Sequence, residues 1–149
     1  MTGKVMTVLW ETARVLGIEV MEFQLPQYPQ PPVRGLYTRY KNRDIILLNQ
    51  DDSLGEKTFT LAHEMGHFVL HRHELSNRHL RTTYWSCNEY QVKKEIEADH
   101  FAWKLLALIY KEIRHWERSQ RHYRRTLNII AFPHHIAYFK SLMRGRFFC

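Results

Sequence analysis

Apolar and polar residues follow different spacings in successive parts of the chain, and each spacing predicts one kind of element. Residues 5–16 carry apolar side chains every three or four positions, which predicts an amphipathic helix that Gly17 is placed to end. Residues 18–23 alternate between apolar and polar side chains, as a half-buried strand does. Residues 33–40 and 45–49 flank a short polar turn segment and predict a hairpin.

The second half of the chain has mainly helical spacing. Ser53 and Glu56 stand three residues apart, as in a capping box, and predict the start of a long helix. Residues 94–106 repeat the helical spacing, and residues 127–142 predict two short helices. The prolines of residues 26–32 predict an extended loop. Together these elements predict an α+β fold in which a small antiparallel sheet packs on the helix after Ser53 and on the following helix, with a helical C-terminal part.

The helix after Ser53 contains a His-Glu-x-x-His motif at His63, Glu64 and His67. On a helix, side chains four residues apart project from one face with Cβ atoms about 5–6 Å apart, so His63 and His67 can bind one metal ion. Glu64 lies beside that face, where its carboxylate can take a proton from water and act as a general base. Two nitrogen ligands and a base predict a zinc hydrolase that still needs a third protein ligand.

Two residues are candidates for that third ligand. Glu95 lies in the second helical segment, and Asp99, one turn later on the same face, can accept a hydrogen bond from the outer nitrogen of a ligand histidine. His73 has the spacing of the third histidine in the metzincin pattern, which requires a helix-breaking glycine three residues earlier. The chain has Leu70 there, and leucine disfavours the left-handed turn, so the sequence favours Glu95 over His73.

Two strings of residues resemble the ImmA/IrrE-type metallopeptidases, which are found in phage-like and mobile genetic elements and in bacterial stress responses. Members of that family are similar to F-T-L-A-H-E-x-G-H-x-x-L-H followed by E-x-E-A-[DN]-x-F-A-x-x-L-L. Both strings are present in this chain, at residues 59–71 and 95–106. The family's second helix commonly ends in Met-Pro after its two leucines, whereas Leu106 is followed here by Ala-Leu. We therefore expect this helix to run further.

The resemblance implies roles for the residues of both strings. It implies that His63, His67 and Glu95 are the ligands of a zinc ion and that Glu64 is the catalytic base. It also implies that the substrate is a protein, namely a helix-turn-helix repressor or another DNA-binding regulator.

Residues near the motif supply further expectations. His71 lies two turns from His63, too far to complete a three-histidine site, and is expected to line the cleft or to support a ligand. The substrate main chain is expected to add as a strand to residues 33–40 or 45–49. Four side chains are candidates for stabilising the oxyanion of the tetrahedral intermediate, namely Tyr84, Tyr90, His71 and His79.

The whole chain has a formal net charge of +7, and its positive charge is concentrated in the last third. Residues 104–149 hold 10 Lys and Arg against 2 acidic residues, a net charge of +8, whereas residues 1–103 have a net charge of −1. This asymmetry indicates an acidic or nucleic-acid partner, although a solvated helix is the commoner explanation of a charge run. We predict a metallopeptidase core in residues 1–110 and a basic helical extension in residues 111–149, packed on the same domain.

Length and composition set broad limits. With 149 residues, of which 44% are hydrophobic, the chain can form one domain with a sizeable core. The sequence has no apolar run of about 18 residues and no signal-peptide pattern at its start, so we expect a cytoplasmic protein without a membrane span. Cys87 and Cys149 lack paired spacing and are expected to be free thiols.

Three functions are compatible with these features. The first is a zinc-dependent endopeptidase that cleaves a DNA-binding repressor or regulator. The second is a zinc-binding regulator or toxin-antitoxin partner with little or no proteolysis. The third is a DNA-binding protein in which zinc is structural. Direct nucleic-acid binding is the least favoured, because helix pairs that pack on a core are far more frequent than pairs that read DNA.

Overall fold

The computed structural model describes residues 1–25, 33–74 and 89–122. Three helices, three strands and one 3₁₀ turn form these parts, and the α+β class is confirmed. In chain order they are α1 Thr2–Val15, β1 Ile18–Phe23, β2 Gly35–Tyr40, β3 Arg43–Asn49, α2 Leu54–His71, the 3₁₀ turn Arg72–Glu74 and α3 Glu89–His122. The loop predicted for residues 26–32 and the helices predicted for residues 127–142 lie outside the described residues.

Local sequence features account for the first two elements. The side chains that α1 buries recur at helical spacing between Val5 and Ala13. Gly17 follows with a φ of +78°, a left-handed conformation that favours glycine and turns the chain into β1. The helix, its glycine stop and the strand Ile18–Phe23 are therefore confirmed.

The sheet is mixed, which corrects the prediction of an antiparallel sheet. Its strand order is β1-β3-β2, with β2 antiparallel to β3 and β1 parallel to β3. β3 takes the centre because its apolar run, residues 45–48, is buried along most of its length, whereas β1 and β2 both end in exposed residues. β3 thus pairs with β1 on one side and with β2 on the other.

The hairpin between β2 and β3 has a shorter turn than the sequence predicted. Its turn consists of Lys41 and Asn42, because Tyr40 pairs with Arg43. Both turn residues have positive φ, +47° and +63°, as in the two-residue turns that match the twist of antiparallel strands. Asp44, which lies in the predicted turn segment, is a buried residue of β3.

Ser53 and Glu56 form the predicted capping box at the start of α2. The Ser53 hydroxyl accepts a hydrogen bond from the Glu56 N–H at 3.3 Å, and the Glu56 carboxylate accepts one from the Ser53 N–H at 2.9 Å. The helix then runs to His71, so Leu70 does not interrupt it. The prediction that leucine at this position lets the helix continue is confirmed.

α2 and α3 approach closely because small residues lie where they cross. A Cβ atom added to Gly66 would lie 3.1 Å from the Cα of Ala98 and 3.2 Å from the ring of Phe101. This crossing brings the motif helix against the helix that carries Glu95. The core around it includes Leu9, Leu61, Met65, Leu105 and Ile109.

α3 continues well past Leu106, as the sequence predicted from the absence of Met-Pro there. The helix has 34 residues and includes residue 110, where the two predicted segments meet. The division into a core, residues 1–110, and an extension, residues 111–149, stays a prediction. Within the described parts, no helix is both long and apolar enough to cross a membrane. Cys87 and Cys149 lie outside these parts.

Candidate metal centre

α2 and α3 bring His63, His67 and Glu95 together where the helices cross. The Nε2 atoms of His63 and His67 lie 3.1 Å apart, and oxygens of Glu95 lie 3.1 Å from the first and 3.4 Å from the second. All three side chains offer an atom within 4.8 Å of the others. Among the residues that the structure describes, this is the one group of His, Cys, Asp and Glu side chains with such spacing.

The donor set and its spacing fit a zinc ion. Tetrahedral zinc binds imidazole nitrogens and carboxylate oxygens at about 2.0–2.2 Å, which places neighbouring ligand atoms about 3.3–3.5 Å apart. The observed separations of 3.1, 3.1 and 3.4 Å differ from this by a few tenths of an ångström at most. Two histidines and one carboxylate also leave a fourth position for water or substrate, as catalytic zinc sites do.

Asp99 contacts the first histidine of the group. Its Oδ1 lies 2.8 Å from Nδ1 of His63. Since a carboxylate accepts hydrogen bonds, Nδ1 donates to it and Nε2 faces Glu95 and His67. The structure thus places Asp99 at the outer nitrogen of a candidate ligand, where the sequence predicted it.

The second histidine has a contact that sequence reasoning only partly anticipated. Nδ1 of His67 lies 3.1 Å from Nδ1 of His71, and Nε2 of His71 lies 3.0 Å from a carboxylate oxygen of Glu97. His71 is only 6% exposed, and this burial lowers its pKa. The spacing of His63, His67 and His71 along one helix face was visible in the sequence. Glu97 was missed, because neither local spacing nor the two family strings relate it to His71.

Glu64 is buried between α2 and strand β2. Its side chain is 7% exposed, and its Oε2 accepts a 2.7 Å hydrogen bond from the backbone N–H of Tyr37. Gly35 permits this close approach, since a Cβ atom there would meet the side chains of Thr60 and Glu64. The strand and the motif helix therefore meet at the candidate base.

Burial, hydrogen bonds and nearby charges shift three pKa values in the centre. Burial, the largest effect, raises the pKa of Glu64, which strengthens it as a base. Burial opposes the charge of His63, but the hydrogen bond to Glu95 and the nearby carboxylates outweigh it and raise the pKa of His63 to about 9. Burial likewise opposes the charge of Glu95, yet its hydrogen bond to His63 and its contact with His67 lower its pKa to about 2. His63 and Glu95 therefore form an ion pair in the metal-free protein.

Asp44 connects the end of α2 to the sheet. Its carboxylate accepts a 2.7 Å hydrogen bond from the hydroxyl of Tyr37 and pairs with Arg72 at 2.9 Å. Burial and this hydrogen bond raise the pKa of Tyr37, so the phenol stays protonated and donates. The ring of Phe68 packs edge-on against Tyr37, with centroids 5.8 Å apart. These contacts fix the motif helix against β2, and no local feature of the sequence revealed them.

The other predicted residues do not join the group. His73 lies exposed in the 3₁₀ turn, outside the cluster of ligand atoms. Tyr84 and His79 lie outside the described residues, as does the side chain of Tyr90. Of the two segments expected to receive a substrate strand, β3 is paired on both sides and only β2 lies at an edge of the sheet.

Comparison with known proteins identifies the family. The profile of Peptidase_M78, described as the IrrE N-terminal-like domain, matches residues 13–133. The chain belongs to this family. The Peptidase_M78 match includes all three strands, α2 and α3, and therefore every residue of the candidate metal centre. It confirms the ImmA/IrrE resemblance that the two strings indicated.

A phage protein is also similar to this Peptidase_M78 chain. It is named "Uncharacterized immunity region protein 2" of Bacillus phage phi105 and is 30% identical over 97 residues. The match covers 65% of this chain but only 56% of the relative, so little more than half of the relative's length is represented. No solved structure gave a significant match.

Proposed function

We propose that this protein is a zinc-dependent endopeptidase that cleaves a DNA-binding repressor or regulator of a phage-like or mobile element or of a stress response. Membership of the Peptidase_M78 family supports the peptidase class. The name of the phage relative supports an immunity context, in which a repressor is a natural substrate. The observation that carries the proposal is the convergence of His63, His67 and Glu95 beside the buried Glu64.

The residues of the centre have separate roles in this proposal. His63, His67 and Glu95 hold the zinc ion, which when bound supplies a Lewis acid that acidifies water and polarises the scissile carbonyl. Glu64 takes the proton of the attacking water, and its raised pKa favours this transfer. The same carboxyl group then gives the proton to the departing amine.

β2 is the strand to which an extended substrate would add. It lies at an edge of the sheet, and the N–H of Tyr37 points away from β3 toward Glu64. Backbone hydrogen bonds from an edge strand bind peptides of many sequences, so they position the scissile bond without selecting it. Selection of one protein substrate therefore requires contacts elsewhere.

An exposed face of α3 that begins near the metal centre and extends away from it supplies such contacts. Its aromatic and basic members, which we call the aromatic-basic face, are Trp103, Tyr110, Lys111, Arg114 and Arg118. Trp103 is 63% exposed and packs on Phe59, whose ring in turn contacts that of His63. Further along, the guanidinium of Arg114 lies over the ring of Tyr110 at 5.8 Å. An acidic segment of the substrate is the partner that complements this face.

Glu64→Gln tests the activity. The substrate class to assay is a helix-turn-helix repressor from the same genome as this chain. The variant should keep zinc and fold, because glutamine has the same size, while cleavage of the repressor falls by about 100-fold or more. Glu112→Gln, the same change at a glutamate of α3 outside the metal centre, should cleave normally.

Two outcomes would contradict the proposal. An active Glu64→Gln protein would show that Glu64 is not the base. A wild-type protein that binds zinc and the repressor without cutting it would instead support a zinc-binding regulator or toxin-antitoxin partner.

A further inference from the structure

We propose that His71 and Glu97 position His67 as a metal ligand, through two consecutive hydrogen bonds that fix which ring nitrogen of His67 faces the metal. The inference rests on the zinc site of the proposed function but not on peptidase activity. Both residues lie outside the His-Glu-x-x-His motif and outside the three candidate ligands. We call the chain from His67 through His71 to Glu97 the histidine relay.

The Glu97 carboxylate determines which atom donates each hydrogen bond of the histidine relay. A carboxylate only accepts hydrogen bonds, so Nε2 of His71, 3.0 Å from Glu97, carries a proton. A neutral imidazole has one N–H, and Nδ1 of His71 is therefore an acceptor. Nδ1 of His67 lies 3.1 Å from it and must be the donor. The remaining nitrogen of His67, Nε2, is left with a free electron pair.

Nε2 is the nitrogen of His67 that faces the other ligands. It lies 3.1 Å from Nε2 of His63 and 3.4 Å from a carboxylate oxygen of Glu95. The opposite tautomer would direct an N–H into this space and could not bind a cation there. The histidine relay therefore selects the tautomer of His67 that is competent to bind metal.

The two candidate histidine ligands are supported in different ways. His63 reaches the carboxylate of Asp99 directly, at 2.8 Å, whereas His67 reaches a carboxylate only through a second imidazole. His71 is 6% exposed, so its ring is fixed by packing. The Glu97 side chain is 43% exposed, so it can be replaced without opening the core.

Zinc affinity of the full-length protein, measured by competition with a chromophoric chelator, tests the histidine relay. His71→Phe keeps an aromatic ring but removes both nitrogens, and it should weaken zinc binding by about 10- to 100-fold. His71→Gln can accept through its carbonyl and donate through its amide, so it should lose less. Glu97→Ala removes only the outer end and should fall between wild type and His71→Phe. Glu112→Gln, a control on the same helix, should bind zinc normally.

The tautomer itself is visible in ¹⁵N spectra of the histidine rings. His67 should be protonated on Nδ1 in wild type, with and without zinc, whereas metal-free His71→Phe should also populate the Nε2–H form. A general loss of packing would also populate the Nε2–H form, so the comparison is made only on variants that keep the wild-type free energy of unfolding.

Different results would overturn the histidine relay and the proposed zinc site. If His71→Phe does not fold, Glu97→Ala decides the matter. Wild-type zinc affinity and an unchanged His67 tautomer in the folded variants would overturn the histidine relay alone. A wild-type chain that binds no zinc would overturn the proposed function as well.

Discussion

The backbone N–H of Tyr37 donates a 2.7 Å hydrogen bond to Glu64, so the edge strand and the proposed base share one contact. A backbone N–H is a single donor, and a substrate strand that adds to β2 at this position would take it over. Glu64 would then turn from the strand toward the attacking water. In the proposed function, binding of the substrate and release of the base would thereby be linked.

Glu95→Ala should remove zinc more severely than Glu97→Ala. The carboxylate of Glu95 lies 3.1 and 3.4 Å from the two ligand nitrogens, whereas Glu97 reaches only His71. Zinc content after desalting measures the difference. Equal loss from both variants, or a greater loss from Glu97→Ala, would contradict the ligand assignment. His73→Ala should keep zinc near the wild-type level, and loss there would restore His73 as the third ligand.

Gly66→Ala should destabilise the protein and weaken its zinc binding together. The added methyl group would lie 3.1 Å from the Cα and 3.2 Å from the carbonyl oxygen of Ala98, backbone atoms that move only if α2 and α3 separate. We expect the free energy of unfolding to fall by about 1–3 kcal/mol. Denaturant unfolding and chelator competition measure the two effects.

The matched control is Gly55→Ala on the same helix. A Cβ atom at Gly55 has no neighbour within 4 Å, so the substitution should cost no stability and leave zinc affinity unchanged. If Gly66→Ala behaves like Gly55→Ala, close contact of the helices is not needed to assemble the centre.

Zinc affinity should rise with pH until about pH 9. The raised pKa of His63, about 9, means that zinc must displace a proton from this ring at lower pH. Apparent affinity should therefore increase about tenfold per pH unit below that value. Chelator competition at several pH values measures the slope, and an affinity that does not change between about pH 7 and about pH 9 would contradict it.

The ion pair of His63 and Glu95 predicts how the stability of the metal-free protein depends on pH. A raised histidine pKa stabilises the fold below the ordinary value of 6.5, and this contribution is lost as the pH rises through about 9. A lowered carboxyl pKa stabilises the fold above the ordinary value of 4.5, and this contribution is lost as the pH falls toward about 2. The contribution of the pair His63 and Glu95 should therefore be largest between pH 4.5 and 6.5. Denaturant unfolding of chelator-treated protein measures it.

Reversing charge on the aromatic-basic face should slow cleavage of the intact substrate and reduce its dependence on salt. Arg114→Glu with Arg118→Glu removes two exposed positive charges from α3 and introduces two negative ones. Zinc content and cleavage of a short peptide from the scissile region should not change. Arg14→Glu with Lys41→Glu changes the net charge equally but lies on other exposed elements, so it should cleave normally.

Two results would contradict docking of the substrate on the aromatic-basic face. If the variant with both arginines reversed cleaves the intact substrate at the wild-type rate in moderate salt, the aromatic-basic face is a solvated surface and specificity lies elsewhere. Equal slowing by the control pair would show that only the total charge matters.

Features fixed by neighbouring residues were predictable from the sequence. Gly17 ended α1, and Ser53 with Glu56 began α2, because each acts within one turn of chain. The strand Ile18–Phe23 was likewise visible in its alternation. The approach of Glu95 to His63 and His67 was implied by the family resemblance rather than by local spacing.

Features that depend on distant partners were not predictable. The parallel pairing of β1 with β3 joins strands about 26 residues apart, and its direction depends on how the intervening chain returns to the sheet. Glu97 meets His71 across the helix crossing, 26 residues away in sequence. The bond between Tyr37 and Glu64 likewise joins two elements whose separation is set by Gly35. Local patterns contain no information about such distances.

The uninterrupted course of α3 beyond Leu106 has a consequence for the length of the substrate. At about 1.5 Å per residue, the helix places Arg114 roughly 28 Å along its axis from Glu95. An extended chain covers that distance with about eight or nine residues. For a substrate bound as proposed, the length of α3 therefore sets the number of residues between the acidic docking segment and the bond to be cut. Moving that segment along the substrate should shift the cleavage point or abolish cleavage, even when the scissile sequence is unchanged.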